Sequence, residues 1–253
     1  MGGGWSQDEA SQSQFHQTSK EESKNSSKIL KETKLNNGNK AIINTEKSPN
    51  KSIHKLDEII RDADVTIDHS SMEKLLPQLQ NGILLNQKTQ KYWIDKMLDN
   101  CFMVYARKLS ITWGEDNRYW TWQQHKDTSE ELIEVARLKQ VCWLEVNGKF
   151  EMRKLSPVTL YEVAFVVMMD DSANGWSFPV NISLSLPDGT NQQHNQDMTK
   201  LPTNQWTHIT AGKFKTSHHN DQFGEDIHFS MHNYDSPWKA GLSIKGVLIQ
   251  TTN

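Results

Sequence analysis

The sequence predicts an all-β protein, an antiparallel β-sandwich of jelly-roll type preceded by a polar tail and two short helices. Three observations predict it. From Gly82 onward the apolar residues recur at every second position, where upstream they recur at helical spacing. About ten short alternating segments then follow one another, bounded by Asn, Asp, Gly and Pro turn signals. Almost no helical stripe interrupts them, and a sandwich or jelly roll is the architecture that buries many short half-apolar strands.

The first 51 residues are rich in Ser, Asn, Gln, Lys and Glu. They bury too little apolar area to offset chain entropy and are expected to be disordered. Gly2 followed by Ser6 fits the N-myristoylation pattern, which makes Gly2 a candidate lipidation site, although one acyl chain anchors only marginally. Residues 52–81 form a short helical segment. Ile53, Leu56, Ile59, Ile60 and Ala63 make one helical stripe. Ser71 is an N-cap for a second helix running towards Pro77, with Leu75, Leu76 and Leu79 as its apolar residues. Helices this short are marginal alone, so they are expected to dock on the following domain or on a partner.

Residues 82–253 are the β-domain. Strands are expected over 91–95 and 101–106, around a turn at Leu98-Asp-Asn100, and over 109–113 and 119–122. Residues 131–136 fit helix or strand. Residues 141–146 meet Asn147-Gly148, a strong hairpin signal, and are expected to return as 149–152. Residues 160–169 are apolar enough for a central strand. Val180, Ile182, Leu184 and Leu186 alternate cleanly before the Pro187-Asp-Gly189 turn, and strands over 206–211, 226–232 and 242–249 complete the set.

Composition narrows the function. A net charge of -3 gives no basic field for nucleic acid or an anionic membrane. No apolar run approaches the roughly 18 residues of a membrane span, and no signal-peptide pattern opens the chain. A cytoplasmic protein is expected, with Cys101 and Cys142 as free thiols. Phosphate loops, Gly-x-Ser-x-Gly and His-Glu-x-x-His are missing from the sequence, so no enzyme and no cofactor is expected. His228 and His232 would lie about 13 Å apart on one strand face, too far for one zinc, and no metal site is expected. The paired carboxylates Glu130-Glu131 and Asp170-Asp171 read as hydrated edges.

A binding function fares better. Nine tryptophans are many for 253 residues, and residues 109–122 alone hold Trp113, Trp120 and Trp122 around the polar loop 114–118. An indole can cover the apolar C–H face of a sugar while carboxylates, amides and hydroxyls bond its rim. The same three tryptophans could equally be a core cluster. Strict alternation puts Leu109, Ile111 and Trp113 on one face.

The segments Ala106-Arg-Lys-Leu-Ser-Ile-Thr-Trp113, Tyr119-Trp-Thr-Trp122, Glu134-Val-Ala-Arg-Leu138, Val141-Cys-Trp-Leu-Glu-Val-Asn-Gly-Lys149 and Trp238-Lys-Ala-Gly-Leu-Ser-Ile-Lys-Gly-Val247 occur in that order. Together they resemble the plant phloem protein 2 family, whose lectin domain is Nictaba-like. The segment 82–95 is similar to the stretch before that domain in A-type members, and no F-box is recognisable upstream. The resemblance implies a β-sandwich lectin without enzymatic activity that binds N-acetylglucosamine oligomers and N-glycan cores. It also implies residence in phloem sieve elements and a homodimer. The family's binding tryptophans match Trp113 and Trp120. One of its two acidic residues matches Glu225, and the other falls at His232, a departure that removes charge-assisted bonds worth roughly 1.5–3 kcal/mol each. The alternative reading is a structural or interaction protein of sieve elements that assembles with other phloem proteins or RNA and has weak sugar affinity.

Overall fold

A computed structural model describes residues 52–127, 130–218 and 225–252. The expectations for residues 1–51, Gly2 among them, fall outside the described residues. Residues Lys47–Asn253 form one compact unit.

Two short helices open the described chain, α1 (Leu56–Arg61) and α2 (Met72–Asn81). Ile59, Leu75 and Leu79 are buried in the same apolar core as the strands, so the helical stripe is covered by this chain's own domain. The helix α2 runs past Pro77, whose missing N–H falls in its second turn. Removing residues 52–81 would therefore uncover core, and a test of the tail's role has to cut before residue 52. No helix among the described residues is long and apolar enough to cross a membrane.

Thirteen strands follow among the described residues, and every ladder between them is antiparallel. The larger sheet holds β1 (Ile83–Leu85), β2 (Gln90–Ile94), β3 (Asn100–Tyr105), β5 (Trp120–Lys126), β6 (Leu132–Leu138), β8 (Leu160–Asn174), β11 (Thr207–Lys215) and β13 (Ala240–Thr251). Its axis is β13, which pairs with β8 along one edge and with β3 and β6 in turn along the other. The smaller sheet runs β10 (Asn191–Gln196), β9 (Val180–Ser185), β12 (Asp226–Asn233), β7 (Leu144–Glu151), β4 (Ser110–Ile111).

The core lies between the sheets. Val163, Phe165 and Val167 of β8 face Val180, Ile182 and Leu184 of β9 and Ile227, Phe229 and Met231 of β12, all fully or almost fully buried. The larger sheet buries its other face as well, where Leu84, Met103, Tyr105, Ile133, Val135, Val166 and Leu248 form a second apolar cluster. Two-sided burial explains why β3 and β8 are near-continuous apolar runs.

The all-β sandwich expected from periodicity is present, with local corrections. Residues 131–136 resolve as strand β6. Asn147-Gly148 makes no hairpin: β7 passes straight through it. A type I′ turn needs positive φ at both central residues, and neither Asn147 nor Gly148 has it. Gly148 instead sits opposite Phe229 of β12, and a Cβ there would meet the Phe229 ring at 2.2 Å. The glycine makes room for an aromatic from the neighbouring strand. Asp170 is no bare hydrated edge either, since it accepts from Arg137 at 2.6 Å. The strand β10, all Asn, Gln and His, has no apolar alternation and is defined by pairing with β9 alone.

Both cysteines are free, and burial pushes the Cys101 thiol up to about 11, which leaves it protonated and unreactive at neutral pH.

Candidate functional site

At one end of the smaller sheet three chain segments leave the sandwich together. Antiparallel register puts Ile111 of β4 opposite Val146, and His232 of β12 opposite Glu145. The residues following β4, preceding β7 and following β12 therefore emerge side by side. They carry Thr112-Trp113, Trp143 and Tyr234. The three aromatics are 45, 44 and 46% exposed, and exposure on this scale is uncommon for such large side chains.

Glu145 ties the segments to one another. Its Oε2 accepts from Thr112 Oγ1 at 3.0 Å and from Trp143 Nε1 at 3.2 Å, and its Oε1 accepts from Tyr234 Oη at 3.2 Å. The Thr112 backbone N–H also donates to the Glu145 carbonyl. The Tyr234 ring stacks on Trp143 at a centroid distance of 4.1 Å and on His232 at 4.9 Å. One carboxylate thus braces an aromatic ladder of His232, Tyr234 and Trp143, with Trp113 alongside packed on Tyr119.

The Trp143 indole, with Thr112 and Tyr234 behind it, holds the Glu145 carboxyl below its ordinary value of 4.5 against partial burial. A depressed carboxyl contributes above its unfolded pKa and loses that contribution as pH falls through its folded one. The tryptophan emission of wild type and Glu145→Gln is expected to differ from neutral pH down to 4.5, and to converge only in more acidic buffer.

Lys239 holds the loops behind the ladder. It is 1% exposed, and its Nζ donates to the carbonyls of Cys142 (2.7 Å), Asp235 (2.8 Å) and Pro237 (3.0 Å). These carbonyls flank Trp143, Tyr234 and the exposed Trp238. Gly175 closes the arrangement from below. It has φ +81°, and a Cβ on it would lie 1.8 Å from the Trp238 carbonyl oxygen, so no larger residue fits.

The residues expected from sequence divide. Trp113 is exposed, as the resemblance implied, for a reason alternation missed: its φ of 58° is left-handed and turns the side chain out of the face it would share with Leu109 and Ile111. Trp120 is 2% exposed, with its Nε1 donating to the Thr112 carbonyl at 3.2 Å. The indole lies inside the core, beneath the residue that bonds Glu145, and has no face to offer a sugar. Trp122 is half-buried, donates to Gly114 O and lies 3.6 Å under the Arg107 guanidinium.

His232 belongs to the ladder, and Glu225 does not. Seven residues of extended chain separate the two, about 23 Å at the usual strand rise, so they stand at opposite ends of β12. Trp143, Glu145 and Tyr234 were not singled out by sequence. The available signal was the i, i+2 placement of Trp143 and Glu145 on one strand face. Among the described residues no group of three His, Cys, Asp or Glu side chains is placed to hold a metal ion.

Residues 99–251 match the family Phloem protein 2. The chain is 44% identical over 204 residues to Protein PHLOEM PROTEIN 2-LIKE A1 of Arabidopsis thaliana, covering 79% of this chain and 81% of the relative. It is 42% identical over 205 residues to a protein named Lectin from Luffa acutangula, covering 78% of this chain and 93% of that one. A solved xylanase structure containing a carbohydrate-binding module overlays with a TM-score of 0.35 at 12% identity, over 59% of this chain and 27% of that one. That overlay is too distant to bear on the site. The matched residues run from the Asp99 turn through β13 and take in every strand of the smaller sheet, ladder included, so the chain belongs to the phloem protein 2 family.

Proposed function

We propose that this chain is a phloem lectin whose ladder binds N-acetylglucosamine oligomers or N-glycan cores. One observation carries the reading: the half-exposed Trp143 and Tyr234 are bonded to one carboxylate, Glu145, which also holds Thr112, the residue before the half-exposed Trp113. An ionised carboxylate offers about four lone-pair positions. Glu145 directs these to Thr112, Trp143 and Tyr234, and the Asn147 side chain bears on it as well, so in this reading the carboxylate holds the aromatic faces in position for the sugar. The indole faces cover the C–H face of the ring, and the His232 imidazole donates or accepts one further bond at the rim.

In this reading Trp113 and His232 keep the contact roles the family resemblance gave them. Trp120 becomes a buttress, and Glu225 has no part in the same sugar subsite. The reading is of a binding protein, not an enzyme, resident in sieve-element cytoplasm and acting as a homodimer. Family membership and the relative named Lectin support the carbohydrate class.

Calorimetric titration with chitin oligomers tests it. Trp143→Ala and Glu145→Gln are each expected to weaken binding by about tenfold or more, as loss of a stacking face or a charge-assisted bond does. Wild type that is folded yet binds no N-acetylglucosamine glycan on an array would overturn the reading. Wild-type binding left unchanged in both variants would overturn the assignment of the ladder.

A further inference from the structure

The outer face of the larger sheet carries a second concavity, remote in the fold from the ladder. It is a cleft of about 510 Å³, within the range of small-molecule sites. Its floor is the outer apolar cluster, with Met103, Val166 and Leu248 lining it, and Trp93 and Trp206 pack half-buried against that cluster as walls. Trp206 is steadied by the His125 ring, edge-on at 5.3 Å. The end of α2 contributes Gln80 and Asn81 to the rim.

The cleft also has a polar end of unusual composition. Asp127 accepts from Lys91 at 2.8 Å and from Lys245 at 2.6 Å, and all three side chains are at most 12% exposed. Burial pushes the Asp127 carboxyl up, but the bonds from Lys245 and Lys91 outweigh it and hold it well below the carboxylate range. The charged residues lining the cleft are thus two ammonium groups and one carboxylate, a net charge of +1. Lys245 has three N–H donors and directs one to Asp127. The buried Tyr105 hydroxyl at the same end makes no hydrogen bond of good geometry among the described residues and faces the same Asp127 carboxylate, which already accepts from both lysines. A buried unsatisfied donor calls for an explanation, and a shortage of acceptors beside a surplus of positive charge is one that a ligand can meet.

We infer that this cleft is a binding site for a small amphipathic anion: a flat apolar body lying on Met103 and Leu248 between Trp93 and Trp206, with one acidic group at Lys245. An uncharged apolar ligand would leave the surplus charge unmet. A sugar would leave most of the apolar floor facing hydroxyls. The inference is independent of carbohydrate binding at the ladder.

The test is fluorescence titration of the full chain with anilinonaphthalene sulfonate, an aromatic anion, beside uncharged phenylnaphthylamine. Wild type is expected to bind the sulfonate saturably at one site and the neutral probe more weakly. Lys245→Gln is expected to weaken the sulfonate by about tenfold, the loss of one charge-assisted bond, and to leave the neutral probe unchanged. Lys245→Arg should restore affinity. Gln250→Glu brings a negative charge to a partly exposed lining position without touching the core, and should weaken only the anion. Trp143→Ala reports on the ladder and should change neither probe. Equal affinity for the two probes in wild type would overturn the inference. So would sulfonate binding that survives both Lys245→Gln and Gln250→Glu in folded protein, or that is lost in Trp143→Ala.

Discussion

Trp120→Ala lowers the unfolding free energy by about 3–5 kcal/mol, the usual cost of truncating a fully buried aromatic to alanine. The side chain is 2% exposed and is among the largest fully buried in the described chain. Its removal opens a cavity where β5 starts and strips the Thr112 carbonyl of its indole donor. The melting temperature should fall by roughly 10 °C for a domain of this size. The measurement that gives this result meaning is the comparison with Trp113→Ala. Trp113 is 45% exposed and packs on Tyr119, so its truncation should cost under about 1 kcal/mol, as surface substitutions do. If the two variants lose glycan binding alike, Trp113 loses it with the fold intact and Trp120 loses it through Thr112. A Trp120→Ala protein with wild-type stability would contradict the burial described here.

Lys239→Met has the second large effect. Methionine fills similar volume but cannot donate, so the carbonyls of Cys142, Asp235 and Pro237 lose an ammonium partner at a buried position. Hydrogen bonds to a charged group contribute about 1.5–3 kcal/mol each. The desolvation of the ammonium offsets part of that sum, so the net loss should be about 3 kcal/mol, read as a lower urea midpoint at unchanged slope. The more specific consequence concerns the ladder. The three carbonyls hold the loops bearing Trp143, Tyr234 and Trp238, so the Trp143–Tyr234 stack should loosen before the sandwich unfolds. Near-UV circular dichroism in the pre-transition region checks it. A spectrum identical to wild type below the transition would show that Lys239 supports stability alone.

Both predictions turn on features that the sequence showed only in part. Strands and core were legible wherever one rule governed a segment. Val180, Ile182 and Leu184 alternate and are buried, and residues 160–169 are central because both faces of β8 are covered. Where a residue's role depended on its neighbour across the sheet, the sequence misled. Asn147-Gly148 has the composition of a hairpin turn, yet its glycine accommodates Phe229 from β12. The strand β10 has no pattern of its own, because only its backbone pairing with β9 makes it a strand.

The tryptophans show the same division at the site. A tryptophan is amphipathic, and sequence cannot say whether its N–H will meet water or a buried carbonyl. Trp120 found the Thr112 carbonyl and went inside, and Trp113 was turned outward by one left-handed backbone angle. Family motifs put both in the binding site, but only one has a face to offer. The one local mark of Glu145 is its i, i+2 relation to Trp143; its partners Thr112 and Tyr234 come from segments distant in the chain.

By itself the sequence determined the class of the protein: an all-β sandwich, its apolar alternation, and membership in a family through motifs kept in order. Those properties are local or additive, set by side-chain period and by short runs of residues. Only the tertiary structure decided which aromatics face solvent and which carboxylate joins them. The ladder is assembled by the register of β4, β7 and β12, strands 30 or more residues apart in the chain, and register is fixed by long-range pairing that no single segment encodes.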